Sequence, residues 1–387
     1  MKILQTGDFF FGIQNMGKKE PYPYGFSQIH DYVRYLSFIC QYAIDHQIDV
    51  VLLSGNLFFS SLPNDFLQSV VRERIKDLAQ SNIHCVVLSG KYDQPCQGTS
   101  FLEMLPSLSF QYVHTMQKDE CIVLKKDSDA LQIAALPYKK MSPSDATSLS
   151  SRSEIAENRI SKLIPKIQPD LFSVLFMQAT LSFLEPFFLL PDIPAFHASY
   201  LQSLPFQYFA FGGQPFKKIE KLSTLESWIG YPGSLGEFEY ADSTIERGFL
   251  VYDSLSISEP PHFIPNPEQR LTALIRISAN SEKEIMEKLN EEFLLNDYRE
   301  HITRIVLHTD ANLSLPSIHG SFEEHCFHIH SIEQQGKQLR YVGDEEILPI
   351  RRYVDFYLEE KRLPLPEILE EEVNTHCLSY LYNELPE

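Results

Sequence analysis

Across the first 115 residues, short apolar runs end in small-residue turns and alternate with segments of helical spacing. Lys2 to Leu4 leads into Thr6-Gly7-Asp8, Val50-Val51-Leu52-Leu53 stops at Ser54-Gly55, and Cys85-Val86-Val87-Leu88 stops at Ser89-Gly90. Between them, Ile29, Val33, Leu36, Cys40 and Ile44 share one helical face, and Pro63, Leu67, Val71, Ile75 and Leu78 share another. Uninterrupted apolar strands joined by amphipathic helices predict a parallel sheet buried on both faces. The turns then gather at the C-terminal edge of that sheet, where α/β folds place their sites.

Further along, Leu131 to Leu136 and Ser173 to Met177 read as strands, and Glu154 to Ile164 as a helix after a serine-rich loop from Ser142 to Ser153. Pro260, Pro261, Pro265 and Pro267 mark a domain boundary. Beyond it come a strand from Leu271 to Ile277, a charged helix from Glu282 to Leu295 and a strand from Ile302 to Leu307. The expected organisation is a main domain over 1–262, an α+β capping module over 263–340 and a helical tail over 341–387. In the tail, Leu369, Val373, Cys377 and Leu381 form a narrow apolar stripe suited to partner binding.

With 43% hydrophobic residues in 387, the chain can build a large core. Its 33 basic against 52 acidic residues give a formal charge of -19, which opposes general binding of polyanions and requires a local basic patch for any nucleic-acid contact. The N-terminus carries no leader-like apolar stretch and no run approaches a membrane span, so a cytoplasmic protein is expected. Six scattered cysteines without a C-x-x-C pair point to reduced thiols.

The strand-end turns carry a resemblance. MKILQTGDFFFG, Ser54-Gly55-Asn56-Leu57-Phe58-Phe59, Gly90-Lys91-Tyr92-Asp93, Leu136-Pro137-Tyr138, Tyr208 to Pro215, the Y-P-G-S at Tyr231 to Ser234 and Arg247-Gly248-Phe249 occur in the order of motifs in SbcD-type nucleases. These belong to the calcineurin-like metallophosphoesterase superfamily. The resemblance implies a four-layer α/β/β/α sandwich with a small α+β cap and a C-terminal helical segment. It also implies double-stranded DNA as substrate, an SbcC-like coiled-coil ATPase as partner, and two manganese ions in an active nuclease; a homodimer is compatible with it.

The family's metal-ligand positions fall here on Asp8, Phe10, Asn56, Lys91, Gln178, Gly213 and Pro215, and its proton-donating histidine on Tyr92. Of these ligands, Asp8 alone is retained unchanged. Two divalent cations require several anionic or imidazole donors, and this set offers one carboxylate beside a lysine. No metal and no catalytic residue is therefore expected, and the leading reading is a degenerate subunit with a structural or DNA-positioning role. The alternatives are an active nuclease with atypical ligands and a stand-alone protein-binding adaptor. Three packing expectations follow: Phe10, Phe59 and Tyr92 fill the pocket as core, Lys91 pairs with Asp8 in place of a cation, and Asp93 orders its own loop. Lys139, Lys140, Lys217 and Lys218 are the candidate DNA contacts. His328 and His330, two apart, share one strand face where two imidazoles could converge on a metal; the expected outcome is an exposed strand face.

Overall fold

The computed structural model describes residues 1–13, 16–94, 99–108, 110–139, 149–181, 193–222, 226–236, 245–341 and 348–349. Lys140 and the tail positions Leu369, Val373, Cys377 and Leu381 lie outside the described residues. By contacts the chain divides into two units, the first made of Met1–Asn15, Lys19–Phe238 and Glu246–Gln269, the second with its main segment starting at Arg270.

The first unit begins with β1 (Lys2–Thr6), α1 (Gln28–Asp45), β2 (Val50–Leu53), α2 (Asp65–Gln80), β3 (His84–Leu88) and β4 (Val113–Met116). It continues with β5 (Glu120–Lys126), β6 (Asp129–Leu136), α3 (Leu149–Leu163), β7 (Phe172–Gln178), β8 (Tyr208–Gly212), β9 (Lys218–Leu222) and β10 (Ser227–Tyr231). Strands β11 (Gly248–Asp253) and β12 (His262–Pro265) complete it. One six-stranded sheet runs β12-β11-β1-β2-β3-β4, with β1 to β4 parallel; the other runs β9-β10-β8-β7-β6-β5.

Alternation along the strands makes the layers. In the first sheet Leu4, Val51, Leu53, Cys85 and Val87 pack with Leu36 and Ile39 of α1 and Val71 and Ile75 of α2. Their neighbours Ile3, Val50, Leu52, Val86 and Leu88 face the opposite way, onto Ile133, Val174, Phe176 and Ala210 of the second sheet. That sheet's other face, Leu136, Leu175, Phe209 and Phe211, is covered by Ala156, Ile160 and Leu163 of α3. The result is an α/β/β/α sandwich.

Two local readings change. Helix α3 starts at Leu149, inside the stretch read as a serine-rich loop, and Ser153 is accommodated because its Oγ donates to Ala195 O at 2.6 Å. The proline-rich segment is partly strand: β12 pairs antiparallel with β11, ending at Pro265 opposite Gly248, and contacts place the division after Gln269. An edge strand accepts proline because one side of its backbone has no ladder partner.

In the second unit, β13 (Leu271–Ser278), α4 (Glu282–Leu295), β14 (Tyr298–His308), α5 (Leu315–Phe322), β15 (Cys326–Gln334), β16 (Leu339–Tyr341) and β17 (Leu348–Pro349) form a five-stranded sheet in that strand order with its helices. Ser281 caps α4 by accepting from Glu284 N at 3.3 Å. Inside the sheet, Glu333 bridges Arg304 at 2.7 Å and Arg340 at 3.2 Å, all buried. The exposed histidine face is corrected. Consecutive Thr303 and Arg304 pair with Ile329 and Ser331, so His330 is the extra residue of a bulge, half-buried with Nε2 3.2 Å from Arg340 Nη2.

Candidate functional site

Three parallel strands, β1, β2 and β3, deliver Asp8, Asn56 and Lys91 to one edge of the first sheet, just past their C-termini. The turns approach too closely for side chains at two points. A Cβ on Gly7 would lie 1.5 Å from Gly233 O, and one on Gly90 would lie 2.2 Å from Asn56 N. Asn56 itself holds a φ of 49°, a left-handed conformation that asparagine tolerates better than most residues.

Two side chains stitch these turns together. Asn56 Oδ1 accepts from Tyr92 N at 3.2 Å, and Asn56 O accepts from Phe10 N at 2.9 Å. Asp93 accepts from Gly90 N at 2.8 Å, Phe58 N at 3.2 Å and Leu57 N at 3.3 Å. Asp93 thus orders more than its own loop; it binds the second turn to the third. Burial still pushes its carboxyl up to about 6 against those donors.

Asp8 sits deeper, 4% exposed. Its Oδ1 accepts from Gln178 Nε2 at 2.8 Å and from Asn56 Nδ2 at 3.1 Å, with the Gly213 backbone N–H as a further donor. Gln178 ends β7 of the second sheet, so one carboxylate gathers donors from both sheets. Burial is the largest influence on it, outweighing the amide donors and reinforced by the Asp93 charge; its pKa rises to about 7.

The donor chemistry can be set against a pair of divalent cations. Asp8 Oδ1 already carries two amide hydrogens, Asn56 Oδ1 carries a backbone N–H, and the Asp93 oxygens face three more. Gly213 and Pro215 have no side-chain donor, and Phe10 brings a ring. This set does not fit two hard cations, which need several oxygen or imidazole donors directed at the ions. What it can do is hold one buried carboxyl with neutral hydrogen-bond donors.

Two of the packing expectations fail for the rim. Lys91 is exposed, its ammonium 5.8 Å from the centre of the Tyr92 ring, and Asp8 has no ion pair among the described residues. The amides of Asn56 and Gln178 make the contacts assigned to the lysine, and no second charge has to be desolvated. Nor are the rings core: Phe59 is 43% and Tyr92 37% exposed, with Phe10 half-buried and edge-on to both.

Of the candidate basic contacts, Lys217 pairs with Glu246 and stacks 4.2 Å from the Phe263 centroid, and Lys218 lies 3.8 Å from Glu220. Lys139 is exposed. The Y-P-G-S and Arg247 motifs brace the site from behind. Buried Arg247 donates to Ser234 Oγ at 2.6 Å and to Pro215 O at 2.7 Å, and Leu235 N donates to Asp8 O at 3.2 Å.

No family model matches the chain. Over 93 residues, 24% of this chain and 21% of the relative, it is 28% identical to the SbcD component of the SbcCD nuclease of Escherichia coli strain K12. The same values hold for the SbcD component of Escherichia coli O157:H7. The matched stretch thus spans about a fifth of those relatives. Among solved structures, a dimetal phosphatase from Danio rerio covers 65% of this chain and 91% of its own at 7% identity, with a TM-score of 0.40. No helix among the described residues is long and apolar enough to cross a membrane.

Residue-type reasoning could find Asp8 and the scarcity of ligand-type residues around it. It missed that two amides donate to Asp8, because those contacts join residues 48 and 170 positions apart. The available signal was the coincidence of Asn56 and Gln178, both amides, at two ligand positions.

Proposed function

We propose that the chain is an SbcD-like subunit that positions DNA for a coiled-coil ATPase of the SbcC kind and does not itself cut. The supporting observation is the amide clamp on Asp8: Asn56 Nδ2 and Gln178 Nε2 both donate to the oxygen that a cation would need. Partial similarity to the SbcD component of the SbcCD nuclease supplies the assembly and the nucleic acid in this reading. In mechanism the clamped carboxyl is a structural tie. It holds the ends of β1, β2 and β7 in register, so the edge of the sandwich keeps its shape with neutral donors alone.

The reading is tested by co-expressing the chain with the large coiled-coil ATPase of its own genome. Stable co-purification is expected, together with no manganese-dependent cleavage of linear duplex DNA above that of the Asp8→Ala variant. Deleting residues 364–387, or changing Val373 and Leu381 to Asp, should abolish the capture through the tail stripe. Cleavage that needs manganese and disappears with Asp8 would refute the loss of chemistry; failure to capture the ATPase would refute the subunit role.

A further inference from the structure

Immediately outside the clamp the site becomes aromatic and basic. Phe59 and Tyr92 lie ring on ring, 5.0 Å between centroids and 22° between planes. Phe10 stands near-perpendicular to both, at 6.5 and 5.7 Å. Their backbones are fixed: Phe59 N donates to Phe11 O at 3.1 Å, Phe10 N to Asn56 O at 2.9 Å, and Tyr92 N to Asn56 Oδ1 at 3.2 Å. Phe10 is held at a φ of 50°, unfavourable for a residue with a Cβ and sustained by those bonds. Large rings left this exposed on such a fixed frame form a preorganised surface.

One cation flanks it and a second lies on a neighbouring turn. Lys91 has its ammonium 5.8 Å from the Tyr92 centroid. Tyr138 N donates to Ser89 O at 2.9 Å and Gln94 Nε2 donates to Tyr138 O, which sets exposed Lys139 beside the turn that carries Lys91. Unlike Lys217 and Lys218, Lys139 carries no ion pair among the described residues.

We propose that Phe59 and Tyr92, with Lys91 beside them and Lys139 on the neighbouring turn, form a stacking site for unpaired nucleobases of single-stranded DNA. Every base offers a π-face to an aromatic platform, while the adjoining phosphates meet the two ammonium groups. Bases inside a duplex are already stacked and cannot reach such rings. A chain of formal charge -19 repels the strand elsewhere, so the contact is local and engages about two phosphates. The choice of nucleic acid as occupant rests on the DNA-positioning reading above.

The test is fluorescence anisotropy of the full chain with a labelled oligothymidylate of about twelve nucleotides, against the same length of duplex. Phe59→Ala and Tyr92→Ala should each weaken binding at least about fivefold while circular dichroism shows the fold retained. The slope of log affinity against log salt should be near about -1.4, reduced by about 0.7 in Lys139→Ala. The proposal is overturned if the wild-type chain does not bind the oligonucleotide, if it prefers duplex, or if both ring variants bind as wild type. Capture of a proline-rich peptide in place of the oligonucleotide overturns it too. ATPase capture without oligonucleotide binding sinks the platform alone; binding through Phe59 without ATPase capture sinks the subunit role alone.

Discussion

Asn56→Asp inverts one hydrogen bond at the centre of the clamp. In the wild type Asn56 Nδ2 donates to Asp8 Oδ1 at 3.1 Å; in the variant two carboxyl oxygens face each other across that distance. Two full charges about 3 Å apart at an effective dielectric constant of about 20 repel by about 5 kcal/mol. The pair avoids this by keeping one proton, as Asp8 already leans toward doing with its pKa at about 7. The introduced carboxylate can still accept from Tyr92 N, so the repulsion is the main change. The variant should lose about 3–5 kcal/mol at pH 8, the cost of holding a shared proton there or of ionising both carboxyls, and recover it progressively as pH falls toward about 4, where the unfolded carboxyl also binds its proton. Urea unfolding followed by circular dichroism at several pH values, with chelator present, measures this. A variant as stable as wild type at pH 8 would mean that the two side chains are solvated or apart, and the clamp would be refuted.

In the wild type, Asp8 and Asp93 are both shifted upward by burial, from 3.8 to about 7 and about 6. Their linkage therefore favours the folded state most below about pH 4 and withdraws that stability as pH rises through 6 and 7; Asp8→Asn should flatten the upper part of this fall in the same unfolding series. Gly7→Ala places a Cβ 1.5 Å from Gly233 O, a backbone atom, and should cost more than about 4 kcal/mol, seen as loss of soluble protein or a collapse in melting temperature. Arg247→Met removes two charged-donor bonds and leaves Pro215 O and Ser234 Oγ without them; a loss of about 2–4 kcal/mol is expected in the same assay.

The strands Val50–Leu53 and Cys85–Leu88 were legible because burial on both faces leaves an uninterrupted apolar run, and the helices because their stripes face one sheet. Asp8 was legible from its place after a strand and a glycine. Phe59 and Tyr92 were not, since apolar character ordinarily signals a core position and these rings stack at an exposed rim instead. The His330 bulge was equally hidden: side-chain alternation assumes an unbroken register, and only the pairing with Thr303 and Arg304 reveals the slip. Lys91 misled because a lysine facing a carboxylate is the simplest neutralisation on paper. Two amides achieve the same tie without desolvating a second charge.

The stitching by Asn56 and Asp93 also bears on how such a chain reaches its finished state. Where turns are tied through bound cations, the last step of maturation waits on an outside supply, and the apoprotein is an exposed intermediate. Here the ties are amide, carboxyl and backbone groups already present in the chain, joining the first, second and third turns. Under the non-nuclease role proposed above, biogenesis would not depend on transition-metal availability. A cell starved of manganese is then expected to produce this protein with its rim in place.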